Sequence, residues 1–205
     1  MKELAKVYVV DDDEQMRRLL VRQLGGEYEV IGFATARSFL EVAAALTAGC
    51  LVLDVRMPEI DGLEVQRRLA ERRLHFPIIM ITGLGEVSIA VQAMKAGAID
   101  FVEKPFGRET ILAGVRLAFD HLTPVRTADD GASDARKHLA RLSPREMQVL
   151  SGLVAGLPNK TIAYDLGLSP RTVEMHRASV MRKMEAASLS ALVRAAVAAG
   201  IQIKP

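Results

Sequence analysis

Apolar positions in the first 121 residues follow two alternating repeats. Residues 7–10, 29–33, 51–53, 77–81 and 99–102 are short apolar runs with many β-branched side chains, as strands are. Between them, residues 14–24, 38–46, 63–74, 87–96 and 110–122 carry apolar residues three or four apart, as helices do. In the second of these, Phe39, Val42 and Leu46 share one face. The run Pro77-Ile78-Ile79-Met80-Ile81 is unbroken, the pattern of a strand buried on both faces. Five strand–helix units in succession predict an α/β doubly wound five-stranded parallel sheet with helices on both faces.

Over residues 122–142 the periodicity lapses. Pro124, Asp129, Asp130, Gly131, Ser133 and Asp134 read as a linker, although 134–142 can form a semi-rigid helix. From Ser143 the pattern is helical throughout. Ser143-Pro144-Arg145-Glu146 combines a capping serine, a proline at the first helical position and a glutamate at the third. Ser169-Pro170 repeats the start signal, and Ser188 caps a last helix that Gly200 stops. The expected organisation is therefore a sheet domain over 1–121, a linker over 122–142, and a small all-α four-helix domain over 143–205. Within the latter, Ala163, Gly167 and Val173 are spaced for a helix-turn-helix: a small residue at the crossing, a helix stop, and an apolar residue facing the core.

Composition narrows the class. Of 205 residues, 50% are hydrophobic and 25% charged, enough apolar material for a core and too much for a disordered chain. No apolar run reaches the roughly 18 residues of a membrane span. The first residues do not resemble a secretory signal, and the single cysteine, Cys50, cannot form an internal disulfide, so a cytoplasmic location is expected. The net charge of +2 is unevenly spread. Residues 1–121 hold 15 Lys/Arg against 18 Asp/Glu, and residues 143–205 hold 8 against 4. A basic C-terminal part suits a polyanion, although scattered surface charge would look the same.

The candidate chemistry lies at strand ends. Asp11, Asp12 and Asp13 follow the first strand, Asp54 the third, Thr82 ends the fourth and Lys104 the fifth. In a doubly wound sheet these carboxyl ends share one crevice. Carboxylates brought within about 4–6 Å repel one another unless a cation offsets them, and Mg²⁺ is suited to that oxygen set. An aspartate there can take a phosphoryl group as an acyl phosphate, with Mg²⁺ and Lys104 neutralising the phosphoryl oxygens. Taken singly, each residue has a plainer reading. Asp13 is a helix cap, Asp61-Gly62 a turn before a helix, and Lys104 a solvated lysine. The coincidence at four strand ends is what argues for a site.

These motifs resemble those of two-component receiver domains: Val9-Val10-Asp11-Asp12-Asp13, Asp54-Val55-Arg56-Met57-Pro58-Glu59-Ile60-Asp61-Gly62, Ile81-Thr82-Gly83 and Phe101-Val102-Glu103-Lys104-Pro105-Phe106. The resemblance implies Asp54 as phosphoacceptor, and Asp11, Asp12, Asp54 and the Arg56 backbone carbonyl as Mg²⁺ ligands. It further implies Thr82 and Lys104 as phosphoryl-sensing residues, Phe101 as a switch aromatic, and a cis Lys104–Pro105 peptide. Phe101 also fits as ordinary strand core. Leu84 stands where relatives often carry a polar residue, and is expected to limit water access and slow loss of the phosphoryl group.

Residues 139–200 resemble the LuxR-type DNA-binding domain, through Leu142-Ser143-Pro144-Arg145-Glu146, Asn159-Lys160-Thr161-Ile162-Ala163 and Ser169-Pro170-Arg171-Thr172-Val173-Glu174-Met175-His176-Arg177. Together the two parts resemble the FixJ branch of response regulators. Val173, His176, Val180 and Met184 share one face of the second helix. Arg171, Glu174, Met175, Ala178 and Arg182 lie opposite, with Arg177 at the border, where they can reach a major groove. Lys160 and Thr172 complete the expected DNA-contacting set. Glu174 is acidic where many relatives are basic, and can accept from a cytosine amino group. The family implies dimerisation through Val91, Met94 and Lys95 on phosphorylation, and pairing of the last helices on DNA through Leu189, Leu192 and Val193. That last apolar face fits internal core equally well.

The resulting expectation is a phosphorylation-controlled transcription regulator rather than an enzyme. Its implied partners are a sensor histidine kinase, double-stranded DNA, RNA polymerase and a second copy of itself, with no membrane. A nucleotide-binding enzyme is disfavoured because Asn159-Lys160-Thr161 lacks the P-loop glycines. An aspartyl hydrolase would need a substrate pocket that these short connections do not provide. With 4% aromatic residues there are few stacking platforms for RNA. The remaining alternative is a degenerate receiver that serves only as a dimerisation module for a phosphorylation-independent DNA binder.

Overall fold

The computed structural model describes residues 4–83, 87–122 and 128–201. Contacts divide the chain into two compact units, residues 1–84 with 96–124, and residues 85–95 with 125–205. In the first unit, five parallel strands run in the order β2-β1-β3-β4-β5: β1 Lys6–Val10, β2 Glu29–Phe33, β3 Gly49–Asp54, β4 Ile78–Thr82 and β5 Asp100–Glu103. α1 Glu14–Leu24, α2 Ala36–Val42, α3 Gly62–Glu71 and α5 Arg108–Leu122 belong to this unit, and a 3-10 turn over Ala43–Ala45 follows α2. α4 Val87–Lys95 connects β4 to β5 in sequence and belongs to the second unit.

Strand side chains alternate between two faces, so each central strand feeds two apolar layers. Val7, Val9, Cys50, Val52, Ile79 and Ile81 pack with Leu20 and Leu24 of α1 and Ile111, Leu112 and Val115 of α5. On the other side Tyr8, Phe39 and Phe76 form an aromatic cluster, with ring centroids 5.7–6.5 Å apart. Here the expected face of α2 needs correcting. Val42 is exposed, while Ala36, Phe39, Leu40 and Ala43 are buried. Thr35 caps the helix earlier than expected, and packing of Phe39 among Tyr8, Phe33 and Phe76 sets its rotation.

In the second unit, α6 Ala128–Leu139 occupies much of the stretch read as linker. After it come α7 Pro144–Val154, α8 Asn159–Leu166, α9 Pro170–Lys183 and α10 Leu189–Ala198. The start signals act as expected. Ser143 and Glu146 form a reciprocal capping box, and Ser169 and Ser188 cap α9 and α10. Gly167 closes α8 at φ +64°, a left-handed conformation that glycine adopts without the steric cost of a Cβ. A core of Val149, Leu150, Leu153, Ile162, Ala163, Val173, Val180, Met184 and Leu192 joins α7, α8, α9 and α10, with Leu139 and Leu142 packed against it.

Candidate functional site

Parallel register brings the acidic residues together. β1 and β3 pair with Val10 opposite Leu53, so Asp11 leaves its strand beside Asp54. Asp11, Asp12 and Asp54 can each present a carboxylate oxygen such that all three lie within 4.8 Å of one another. Asp11 is fully buried, Asp54 is 6% exposed, and Asp12 faces solvent. Three carboxylates this close form a site for a hard dication, with one open flank at Asp12.

Lys104 enters from the end of β5. Its backbone N–H donates to the Thr82 carbonyl at 2.8 Å, which ties the fifth strand's end to the fourth's. Its Nζ donates to Asp54 Oδ1 at 2.9 Å and to Asp11 Oδ2 at 3.2 Å. One ammonium thus bridges the two buried carboxylates. Asp54 is nevertheless pushed up to about 6, chiefly by burial. The Lys104 hydrogen bond opposes the shift, and the negative charges of Asp11 and Asp12 reinforce it. Burial pulls Lys104 downward, but the bonds and charge of Asp54 and Asp11 outweigh it and hold the ammonium above its ordinary value. The site carries an excess of negative charge that a dication would relieve, so the residues present fit Mg²⁺.

Thr82 is buried at the end of β4, as the sequence predicts. Phe101 lies opposite Met80 in the β4–β5 register and is half-buried. The Arg56 side chain is exposed, in the loop that follows Asp54. The Lys104–Pro105 peptide is cis. Leu84 lies outside the described residues.

One contributor escaped the sequence reading. Gly62, read as a turn residue, is the first residue of α3, and its N–H donates to the Val55 carbonyl at 2.9 Å. A Cβ at Gly62 would lie 2.5 Å from the Asp54 carbonyl oxygen. The chain therefore doubles back against the backbone of Asp54, and only glycine permits that approach. Asp61 caps α3 by accepting from the Glu64 N–H. The Asp-Gly pair was visible in the sequence, but its proximity to Asp54 depends on the loop's return.

In the second unit, the residues expected to meet DNA lie on the uncovered side of α8 and α9. Lys160, Arg171, Glu174, Met175, Ala178 and Arg182 are exposed, and Thr172 and Arg177 are half-buried. Met175 is 68% exposed, unusual for an apolar side chain and suited to a surface that a partner covers. Val173, Val180 and Met184 are buried on the opposite face, with His176 half-buried. The orientation of α9 rests on Glu146 of α7. Its carboxylate accepts from Lys183 Nζ at 2.6 Å, Ser179 Oγ at 2.7 Å and the Ser143 N–H at 2.7 Å. These donors hold Glu146 well below the usual carboxylate range, with Lys183 contributing most. The sequence identified Glu146 only as a capping residue.

Among the expected dimerisation residues, Val91 and Met94 of α4 are buried and Lys95 is exposed. Leu192 and Val193 are fully buried, and Leu189 is half-buried.

A buried aspartate bridged by a lysine, beside two further carboxylates at the strand ends of a 2-1-3-4-5 sheet, defines a receiver. A capped helix pair with an exposed basic face defines a helix-turn-helix. Comparison with known proteins agrees on both. Residues 7–116 match the response regulator receiver domain, and residues 140–196 match the bacterial regulatory proteins of the luxR family. The chain is 49% identical to the transcriptional regulatory protein FixJ of Rhizobium meliloti, over 95% of this chain and 96% of that one. It is 48% identical to FixJ of Azorhizobium caulinodans, over 98% and 96%. Full-length FixJ from B. japonicum superposes with a TM-score of 0.59 at 44% identity, covering 98% of this chain and all of that one. The chain belongs to the FixJ branch of response regulators. It is a phosphorylation-controlled regulator, not an enzyme, and its acidic triad is the Mg²⁺ site of the receiver. No helix among the described residues is long and apolar enough to cross a membrane.

Proposed function

We propose that a sensor histidine kinase supplies a phosphoryl group to Asp54, and that the modified chain dimerises, binds promoter DNA and activates transcription with RNA polymerase in the cytoplasm. The observation that carries the reading is the Lys104 bridge across Asp11 and Asp54. A carboxylate oxygen of Asp54 attacks phosphorus, the bond from phosphorus to the donor histidine nitrogen breaks, and an acyl phosphate forms. Asp11, Asp12, Asp54 and the Arg56 carbonyl would hold Mg²⁺, which would supply charge neutralisation for the phosphoryl oxygens. Lys104 holds the aspartate in place beforehand and meets the incoming negative charge afterwards. Thr82 then turns toward a phosphoryl oxygen and Phe101 moves into the space it leaves, which shifts the receiver toward a dimer-competent state.

In this reading the receiver spans 1–121, the linker 122–142 and the DNA-binding domain 143–205. Receiver pairing uses Val91, Met94 and Lys95. Because Val91 and Met94 are buried in this structure, pairing through them requires that they first be uncovered. Pairing of the last helices on DNA is assigned to Leu189, Leu192 and Val193. Leu192 and Val193 are fully buried in this structure, so they too must first be uncovered. Two copies of α9 read half-sites about one helical turn apart. Lys160, Arg171, Thr172, Glu174, Met175, Arg177, Ala178 and Arg182 make the contacts. The exposure of Met175 and the adjacent arginines supports that face over any other on α9.

The test is selection from random duplexes by the full chain, with and without a small phosphodonor and Mg²⁺, alongside sedimentation. A sequence enriched only with phosphodonor, bound by a dimer, is the expected result. Equal enrichment without phosphodonor would favour the degenerate-receiver alternative.

A further inference from the structure

We propose that Arg17, which neither the sequence motifs nor the site's carboxylates point to, is a positioning residue for the Mg²⁺ site. The proposal rests on the reading of Asp11, Asp12 and Asp54 as that site. Asp11 is fully buried, and each of its polar groups has a protein partner. Its N–H donates to the Phe33 carbonyl at 3.3 Å. Its Oδ1 accepts from the Asp13 N–H at 2.8 Å, and its Oδ2 from Lys104 Nζ at 3.2 Å. Its carbonyl accepts from Arg17 Nη1 at 2.7 Å.

That carbonyl belongs to the peptide plane joining Asp11 to Asp12. The plane is rigid, so fixing its oxygen fixes the direction in which the chain leaves toward Asp12. Asp12 is exposed, so the direction of its backbone weighs heavily on where its carboxylate lies. Arg17 therefore orients the plane from which the second carboxylate projects. The residue is well placed to do so. Its own N–H donates to the Asp13 carbonyl at 3.1 Å, and Asp13 caps α1 through the Gln15 N–H. The side chain is half-buried and its stem crosses Gly32 of β2, where a Cβ would stand 3.7 Å from Arg17 Cδ. The β1–α1 loop is thus closed on itself, from Asp11 through the cap and back along Arg17.

Charge and positioning make opposite demands. A guanidinium beside the site repels a dication, so removing it should tighten Mg²⁺ binding if charge were its only effect. If it holds the ligand loop, removing it loosens Mg²⁺ binding, by about tenfold for an outer partner of a metal site. The sign of the change separates the two.

The experiment is calorimetric titration of Mg²⁺ into the full-length, metal-free chain without phosphodonor, so that affinity is read without phosphorylation. Arg17→Met keeps the stem over Gly32 and removes the charged donors. It should bind Mg²⁺ about tenfold more weakly, with Arg17→Lys recovering part of the loss. Affinity in Arg17→Met equal to or tighter than wild type overturns the proposal. Should Arg17→Met fail to fold by circular dichroism, Arg17→Gln replaces it, with the same loss expected and wild-type affinity again contradicting it. If the wild-type chain itself binds no Mg²⁺, the reading of the triad falls and this proposal with it. If wild type binds and the neutral variants match it, only the proposal falls.

Discussion

Two lysine–carboxylate pairs, one in each unit, are close in length and opposite in consequence. Lys104 meets Asp54 at 2.9 Å and Lys183 meets Glu146 at 2.6 Å. Asp54 is pushed up to about 6, whereas Glu146 is held below its ordinary range. Burial is the main cause of the upward push on Asp54, while donors outweigh it at Glu146, and the company each carboxylate keeps widens the difference. Asp54 is buried beside two other carboxylates and shares its lysine with Asp11. Glu146 has a lysine, a hydroxyl and a backbone N–H to itself. A carboxylate with a full set of donors makes a joint. One short of positive charge makes a site, because a cation or a phosphoryl group with its Mg²⁺ can supply what is missing.

The largest expected effect breaks the joint. Glu146→Ala removes the capping box and leaves Lys183 without its carboxylate, and should cost about 3 kcal/mol of the helical unit's stability, read by chemical denaturation. Next comes the geometry beneath Asp54. Gly62→Ala places a Cβ against the Asp54 carbonyl, and should cost about 2 kcal/mol and lower the rate of phosphorylation from a small donor.

Asp54→Asn should have the reverse sign. Its native pKa near 6 lies above the ordinary 3.8, so ionised Asp54 destabilises the fold at neutral pH. That penalty is present in full above about pH 6 and gone below about pH 4. The variant should therefore be about 1–2 kcal/mol more stable than wild type at pH 8 in chelator, and no more stable at pH 4. Glu146, with a depressed pKa, titrates the other way: its contribution is intact above pH 4.5 and fades on further acidification. Lowering the pH from 8 to 5 should strengthen the first unit without weakening the second through Glu146. Smallest of all is the exposed Glu14–Arg18 pair, with side chains 64% and 78% accessible. Glu14→Gln should change the melting midpoint by no more than about 0.5 kcal/mol implies.

Much of this was legible in the sequence because it is local or tied to strand ends. The strand runs, the capping serines and Gly167 each announce themselves within a few residues. Asp11, Asp54, Thr82 and Lys104 converge because a parallel sheet places all its carboxyl ends on one rim. What was not legible depends on tertiary return. Gly62 looks like any turn glycine until α3 folds back on Asp54. Arg17 looks like a solvated helix residue until its guanidinium turns toward Asp11. Val42 and Leu40 are equally apolar, and only the ring packing of Phe39 decides which of them faces inward. Glu146 signals a cap by its spacing from Ser143, while its bonds to Ser179 and Lys183 span more than thirty residues.

Under the proposed function, the chain is switched at the charge-poor pair and not at the charge-satisfied one. Intact mass after incubation with Mg²⁺ and a small phosphodonor tests it most directly, with Asp54→Asn and a receiver known to label run in parallel. One added phosphoryl group on the wild-type chain and none on the variant is the expected result. A wild-type chain that stays unmodified while the control receiver labels, or a variant that labels as fully as wild type, would contradict it.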